Sequence, residues 1–202
     1  MSLELMKERR IEYVPQSEYP DKPLHGRNWE NFFLVIERDA GKVAVVDGDK
    51  KEIVAHVDTG YAVHVLKAAE HHKTLHAENP GRFWYTMGRD GKMTKIDLWQ
   101  NPGRMLVAEA QMAYDARDVA VSGDGKYVIG GGYWPPHFVI VDAETMNPLK
   151  VVSARGVNVD GEYVNESRVA AVYDNPHSTS WTVAMKELGQ MWQVDYSDIN
   201  NL

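Results

Sequence analysis

One internal pattern constrains the fold of this chain more than any other feature. A strand-like run, a tight turn and a second run closing on aspartate recur four times: FFLVIERDAGKVAVVD to Asp47, FWYTMGRDGKMTKID to Asp97, YVIGGGYWPPHFVIVD to Asp142 and WTVAMKELGQMWQVD to Asp195. The aspartates lie 50, 45 and 53 residues apart, and the residue closing each turn sits six before its aspartate: Gly41, Gly91, Pro136, Gly189. The runs alternate and are rich in β-branched and aromatic residues, so each copy reads as a β-hairpin. Asp90-Gly91 is a favoured hairpin turn because glycine tolerates positive φ. Further strand-like runs, EIVAHVDTG, MLVAEAQMA and LKVVSARG, separate the copies. A repeat of this length with about four strands per unit is the signature of a propeller blade. The expectation is an all-β protein, a β-propeller of about four blades; the competing reading is an ordinary β-sandwich.

Four blades taken from a larger ring leave two open sheet edges and apolar faces between blades uncovered. The fourth hairpin is followed by DYSDINNL with no visible closing strand. The expectation is therefore an incomplete propeller over residues 28–202, a fragment or half of an assembly, preceded by a linker-like segment over residues 1–27.

Composition excludes several functions. The chain has no cysteine, which removes disulfides, thiolate metal sites, thiol nucleophiles and a covalently attached c-type haem. The formal net charge of −7 argues against general nucleic-acid binding. No apolar run approaches the roughly eighteen residues of a membrane span, and the charged start MSLELMKERRIEYVP shows no export signal.

Matched positions of successive blades share one face of a propeller. Arg38, Arg89, Tyr133 and Lys186 all sit just before the hairpin turns, where they could surround an anionic ligand or simply form a solvated rim. Between blades, His64, Arg117 and Arg168 occupy equivalent places. Alternation turns His64 away from Val63 and Val65, so it could ligate a metal or be a hydrogen-bonded core histidine.

The ordered series RDAGKVAVVDGD, DTGYAVH, GRFWYTMGRDGK, IDLW, DARDVAVS, GGYWPP, SARGVNVDGEY and KELGQMWQVDYSDINNL resembles the d1-haem domain of the cytochrome cd1 nitrite reductase family. That domain is an eight-bladed propeller holding haem d1, an iron tetrapyrrole with several carboxylates, and the four blades here are similar to its first half. The resemblance implies His64 as the proximal ligand of the iron. It implies Arg38, Lys67, Arg89, Arg117 and Tyr133 as contacts to the haem or its acidic arms, and Lys22 as a further basic contact. A polyanionic planar cofactor needs fixed cationic partners.

The departures point elsewhere within the family. EYVNESRVAA places Val164 where the nitrite reductases carry a distal histidine, and no CxxCH electron-donor motif is present. Loss of such a general acid typically removes about 10²–10⁴-fold of rate. This aligns the chain with the related dihydro-haem d1 dehydrogenases, which mature the cofactor, and against a competent nitrite reductase. The alternatives are the d1 domain of a split or truncated nitrite reductase, with a second distal histidine beyond Leu202, and a cofactor-free interaction scaffold. The resemblance also implies a periplasmic location, a c-type cytochrome as redox partner, and a second half-propeller chain or a homodimer to complete the ring.

Other features carry less. His72 and His76 have the i, i+4 spacing of a helical metal pair, but with His71 they lack a diagnostic partner and read as a solvated loop. His137 could reach the cavity or pack. Trp84, Trp99, Trp181 and Trp192 read as inter-blade core, with Trp134 the candidate for cofactor stacking.

Overall fold

The computed structural model describes residues 1–69, 79–175 and 177–202. The triplet His71, His72 and His76 lies outside the described residues.

Four antiparallel sheets follow one another along the chain as blades. The first blade is β2 (Phe32–Glu37), β3 (Lys42–Asp47) and β4 (Glu52–Asp58). The second is β5 (Val65–Ala68), β6 (Phe83–Met87), β7 (Lys92–Asp97) and β8 (Leu106–Gln111). The third is β9 (Asp115–Val121), β10 (Tyr127–Trp134), β11 (His137–Asp142) and β12 (Pro148–Ser153). After a short hairpin, β13 (Gly156–Val157) with β14 (Tyr163–Val164), comes the fourth: β15 (Val169–Asn175), β16 (Ser180–Met185) and β17 (Gln190–Asp195). The repeated hairpins are β2–β3, β6–β7, β10–β11 and β16–β17. Among the described residues the first blade therefore lacks the innermost strand of its siblings, and the fourth lacks the outermost.

The recurring aspartate caps the turn that follows it. Asp47 Oδ1 accepts from the amides of Asp49 and Lys50, both at 3.0 Å. Asp97 Oδ1 accepts from Trp99 N at 3.0 Å, Asp142 Oδ1 from Thr145 N at 2.7 Å, and Asp195 Oδ1 from Ser197 N at 2.8 Å. An Asx cap at this point satisfies amides that the sheet cannot. The glycines closing three of the turns, Gly41, Gly91 and Gly189, all have positive φ (67°, 76° and 65°).

Side chains of the middle blades go alternately to two cores. Val119, Val128, Val139 and Val141 pack with Met87, Met93 and Tyr85 of the second blade. Ala120, Ile129, Phe138 and Ile140 pack with Trp181, Val183 and Val172 of the fourth. A third core joins Val43 and Val45 of the first blade to Ile96 and Leu98 of the second. Strands buried on both faces read as continuous apolar runs, which is why FVIV lacks polar alternation. The glycine run in β10 permits the close stacking: a Cβ on Gly130 would lie 2.5 Å from Met87 Cε, and one on Gly131 2.7 Å from Val169 Cγ1.

The N-terminal segment grips the blades from outside. Helix α1 (Leu3–Glu8) buries Met6 against the second and third blades. Strand β1 (Arg10–Glu12) then pairs antiparallel with β8 as a fifth strand. Arg10 Nε donates to Thr145 O at 2.6 Å, tying this strand to the third blade.

Candidate functional site

The inner strands β5, β9 and β15, together with β2, surround a hub cavity of about 800 Å³. His64, Lys67, Arg117, Asp118 and Tyr173 are its charged or titratable lining. Leu34, Ile36, Leu66 and Trp84 supply an apolar wall.

His64 is delivered by a strained turn. Ala62, fully buried, has φ 51°, a left-handed conformation that disfavours a Cβ. The His64 Nδ1 faces Ala62 O at 3.4 Å, while Nε2 is buried and has no hydrogen-bond partner. Burial pushes the imidazole pKa down, and the nearby Arg117 and Arg89 push the same way, against the Ala62 carbonyl and Asp118. With the Ala62 carbonyl as its acceptor, Nδ1 is the donor nitrogen of the neutral ring, which leaves Nε2 as the unpartnered acceptor. A backbone contact that fixes the tautomer in this way is the usual support of a metal-ligating histidine.

The side chains of Lys67, on β5, and Arg117, on β9, form no hydrogen bond or salt bridge with any described residue. Both can therefore receive an anion. Asp118 sets the opposite charge beside them. It is 6% exposed, and it accepts from Val119 N at 2.9 Å and from Val172 N at 3.0 Å, pinning β9 to β15. Burial pushes its pKa up.

A second group lies at the hairpin-turn end of the hub. Arg89 donates to Asp115 at 3.0 Å and lies 5.1 Å from the centre of the Tyr133 ring. Arg168 and Lys186 lie 5.4 and 5.5 Å from the same ring. Arg89, Tyr133 and Lys186, expected at one level from their spacing, do converge, and Arg168 joins them. Arg38 does not line the cavity: its side chain is 60% exposed and pairs with Asp39 at 3.1 Å. Lys22 is exposed, in a segment anchored by Leu24 N to Trp99 O (2.8 Å) and by His25 to Leu98 O (2.7 Å). That turn follows β7, at the opposite end of the second blade from Arg89.

Other side chains settle into place. His137 is 3% exposed and its two ring nitrogens face Pro135 O and Met112 O at 2.6 and 3.0 Å, so it packs rather than reaching the hub. Val164 packs against the core of the third and fourth blades. Trp134 is 57% exposed, whereas Trp84 lines the hub and donates to Gly81 O at 2.8 Å. The tryptophan facing the cavity is therefore Trp84, which alternation alone could not separate from core. Asp118 was also missed, although a carboxylate within the apolar run DVAV of an inner strand is the signal that marks it.

The donor set decides what kind of metal could sit here. No group of three or more His, Cys, Asp or Glu able to hold an ion occurs among the described residues. A bare zinc or iron ion needs three or four protein ligands. One free imidazole among cations suits an iron that brings its own equatorial ligands and carries acidic arms.

Antiparallel sheets of three to five strands stacked side by side around a cation-lined hub cavity define a partial β-propeller. The chain belongs to the cytochrome D1 heme domain family, whose profile matches residues 27–202. It is 43% identical to a nitrite reductase of Stutzerimonas stutzeri over its whole length, covering 35% of that protein. It is 30% identical to a dihydro-heme d1 dehydrogenase of Pseudomonas aeruginosa over 98% of its length, covering 37% of that protein. The solved structure of the dihydro-heme d1 dehydrogenase NirN in complex with DHE superposes with a TM-score of 0.81 at 30% identity, over 98% of this chain and 39% of that one. The chain thus spans little more than a third of these relatives.

Proposed function

We propose that the hub binds haem d1 and that the protein acts in haem d1-dependent redox chemistry, with His64 as the proximal ligand through Nε2. The observation that carries this reading is the buried, partnerless Nε2 of a neutral imidazole on the cavity wall. Lys67 and Arg117 then hold acidic arms of the macrocycle, with Arg89 and Tyr133 at the rim as further contacts. Trp84, Leu34 and Ile36 give its flat face an apolar wall and exclude water. Asp118 limits the positive charge gathered there. Arg38 and Lys22 remain candidate contacts by resemblance, the one on the exposed first-blade turn and the other at the far end of the second blade. When bound, haem d1 supplies one-electron chemistry at its iron.

Two reactions fit such a domain. Val164, an aliphatic residue unable to donate a proton, favours the cofactor-maturing dihydro-haem d1 dehydrogenase type. The 43% identity to a nitrite reductase favours a d1 domain reducing nitrite to nitric oxide. Either reading includes a periplasmic setting, a c-type cytochrome as electron partner, and a second half-propeller, on another chain or a second copy, to close the ring.

Reconstitution with haem d1 tests the cofactor reading. His64→Ala should shift the visible absorption bands and weaken retention on a desalting column. An unchanged spectrum overturns the ligand assignment. Nitrite turnover with an artificial electron donor then separates the two reactions.

A further inference from the structure

We infer that the hairpin-turn end of the blades is the docking face for a one-electron carrier protein with an apolar, lysine-rimmed surface. The loops that connect the blades at this end are built alike, each bonded to the hairpin turn it leaves or the one it enters. Thr59 N donates to Gly41 O at 2.9 Å and Met112 N to Gly91 O at 2.8 Å. Arg89 N donates to Tyr61 O and Tyr114 N to Trp134 O, both at 2.8 Å. Tyr61 N donates to Asp90 Oδ2 and Gln190 Nε2 to Val157 O, again at 2.8 Å. These fixed loops and turns carry Tyr61, Tyr114, Trp134, Val157, Val159 and Tyr163 outward, each between 52 and 69% exposed. Exposed apolar side chains gathered in this way mark an interaction site. Tyrosine and tryptophan held on pre-ordered turns lose little freedom on binding and are the usual anchors of protein interfaces.

The charge of this face selects the sign of the partner. The segment between β12 and β15 carries Asp160, Glu162 and Glu166, all exposed and without a salt bridge to any described residue. Arg155 is the one cation of that segment left unpaired, since Glu187 takes Arg168 at 2.5 Å. Apolar anchors beside uncompensated carboxylates complement an apolar patch ringed by ammonium groups, and such complementarity speeds encounter and fixes orientation. The face also lies beside His64 along the chain. Tyr61 opens the turn that delivers this histidine, with only the buried Ala62 and Val63 between them. One electron passes per encounter, from carrier to iron or the reverse, according to which of the two reactions the protein runs. The class of the partner rests on the redox reading of His64; the face itself does not.

A binding titration on the apo-protein tests the face without the cofactor. The probe is a lysine-rich c-type cytochrome at low ionic strength, compared with the same cytochrome after acetylation of its lysines. Saturable binding of the first is expected, at least about tenfold weaker for the acetylated form. Trp134→Ser with Tyr163→Ser, both at exposed positions, should also weaken binding at least about tenfold. Glu162→Lys with Glu166→Lys should do the same and flatten the loss of affinity with added salt. Glu4→Lys with Glu8→Lys, an equal change of charge on α1, should alter the affinity far less. No binding of the lysine-rich form, binding kept after acetylation, or equal losses in the two charge-reversed pairs each overturn the face. Haem-loaded protein mixed with the cytochrome should exchange one electron with it, more slowly in Trp134→Ser with Tyr163→Ser; an unaffected rate overturns the carrier assignment. Apo-protein that docks the cytochrome yet retains no haem d1 supports the face and faults the cofactor reading alone.

Discussion

His64 illustrates how a residue is prepared by its neighbours. The buried turn at Ala62 carries the backbone strain, and the Ala62 carbonyl faces Nδ1, so Nε2 is the nitrogen left without a partner. Lys95 is the contrasting case, a titratable group with no role in the hub. It is fully buried, donates to Glu144 O at 2.8 Å, and lies 4.3 Å from the Phe83 ring centre and 5.0 Å from that of Tyr19. Burial pushes its pKa down to about 7, against Asp97, Glu144 and Asp142, from an ordinary 10.5. Between these values the unfolded chain holds a proton that the folded one does not, so stability rises with pH. Tyr19 and Tyr85, both pushed up by burial, reverse the slope above about pH 10. Urea midpoints should therefore climb from pH 7 to 9, and Lys95→Met should flatten that climb. A slope that persists in Lys95→Met would place its origin elsewhere. Lys95 was not legible as buried in the sequence. It sits within the alternating run KMTKID, where a lysine reads as solvent-facing; Phe83, the Glu144 carbonyl and Tyr19 of the N-terminal segment cover it together.

Among elements, the hairpins were legible because turn chemistry and period agree. Aspartate plus a glycine six residues earlier is a local device, and local devices survive in a bare sequence. The same turn nonetheless tolerates change unequally. A Cβ on Gly91 would lie 2.1 Å from Ala113 O, whereas one on Gly189 would meet nothing nearer than Val159 at 3.6 Å. Gly189→Ala should lose about 1–2 kcal/mol, the cost of the left-handed conformation alone. Gly91→Ala should lose clearly more, because its backbone must also move away from the adjoining strand end. Chemical denaturation of the two variants checks the order; equal losses would mean the Gly91 turn relaxes freely. What the elements hid was side-chain destination. Val139 and Ile140 are neighbours in one run yet enter different cores, and Trp84 and Trp181 look alike in sequence while one faces the hub and the other is fully buried.

For the whole molecule, the repeat period gave the blade architecture, and cations matched by blade position led to the hub and its rim. Two of the expected contacts, Arg38 and Lys22, stand apart from the cavity because a linear offset carries no information on which way an exposed side chain leaves its turn. The terminal blades show what stacking leaves over. On the first blade Phe33, Val35 and Ile53 are 51, 45 and 54% exposed on the face turned away from Val43 and Val45, and on the fourth Tyr173 and Met191 are 54 and 77% exposed. Apolar patches of this kind mark contact faces. Sedimentation equilibrium at micromolar concentration should show association, reduced in Phe33→Lys with Ile53→Lys. A strictly monomeric parent would show that these faces are at ease in water.

Strand β1 carries a last consequence. A blade's outermost strand is ordinarily its frailest, with one row of amides open to exchange. Here β1 covers that row on β8 through pairs from Arg10–Ala110 to Glu12–Ala108, and Arg10 reaches across to the next blade. The perimeter of the second blade is thereby latched like the hoop of a barrel. Fraying must begin at other margins, such as β5, the opposite edge of the same sheet.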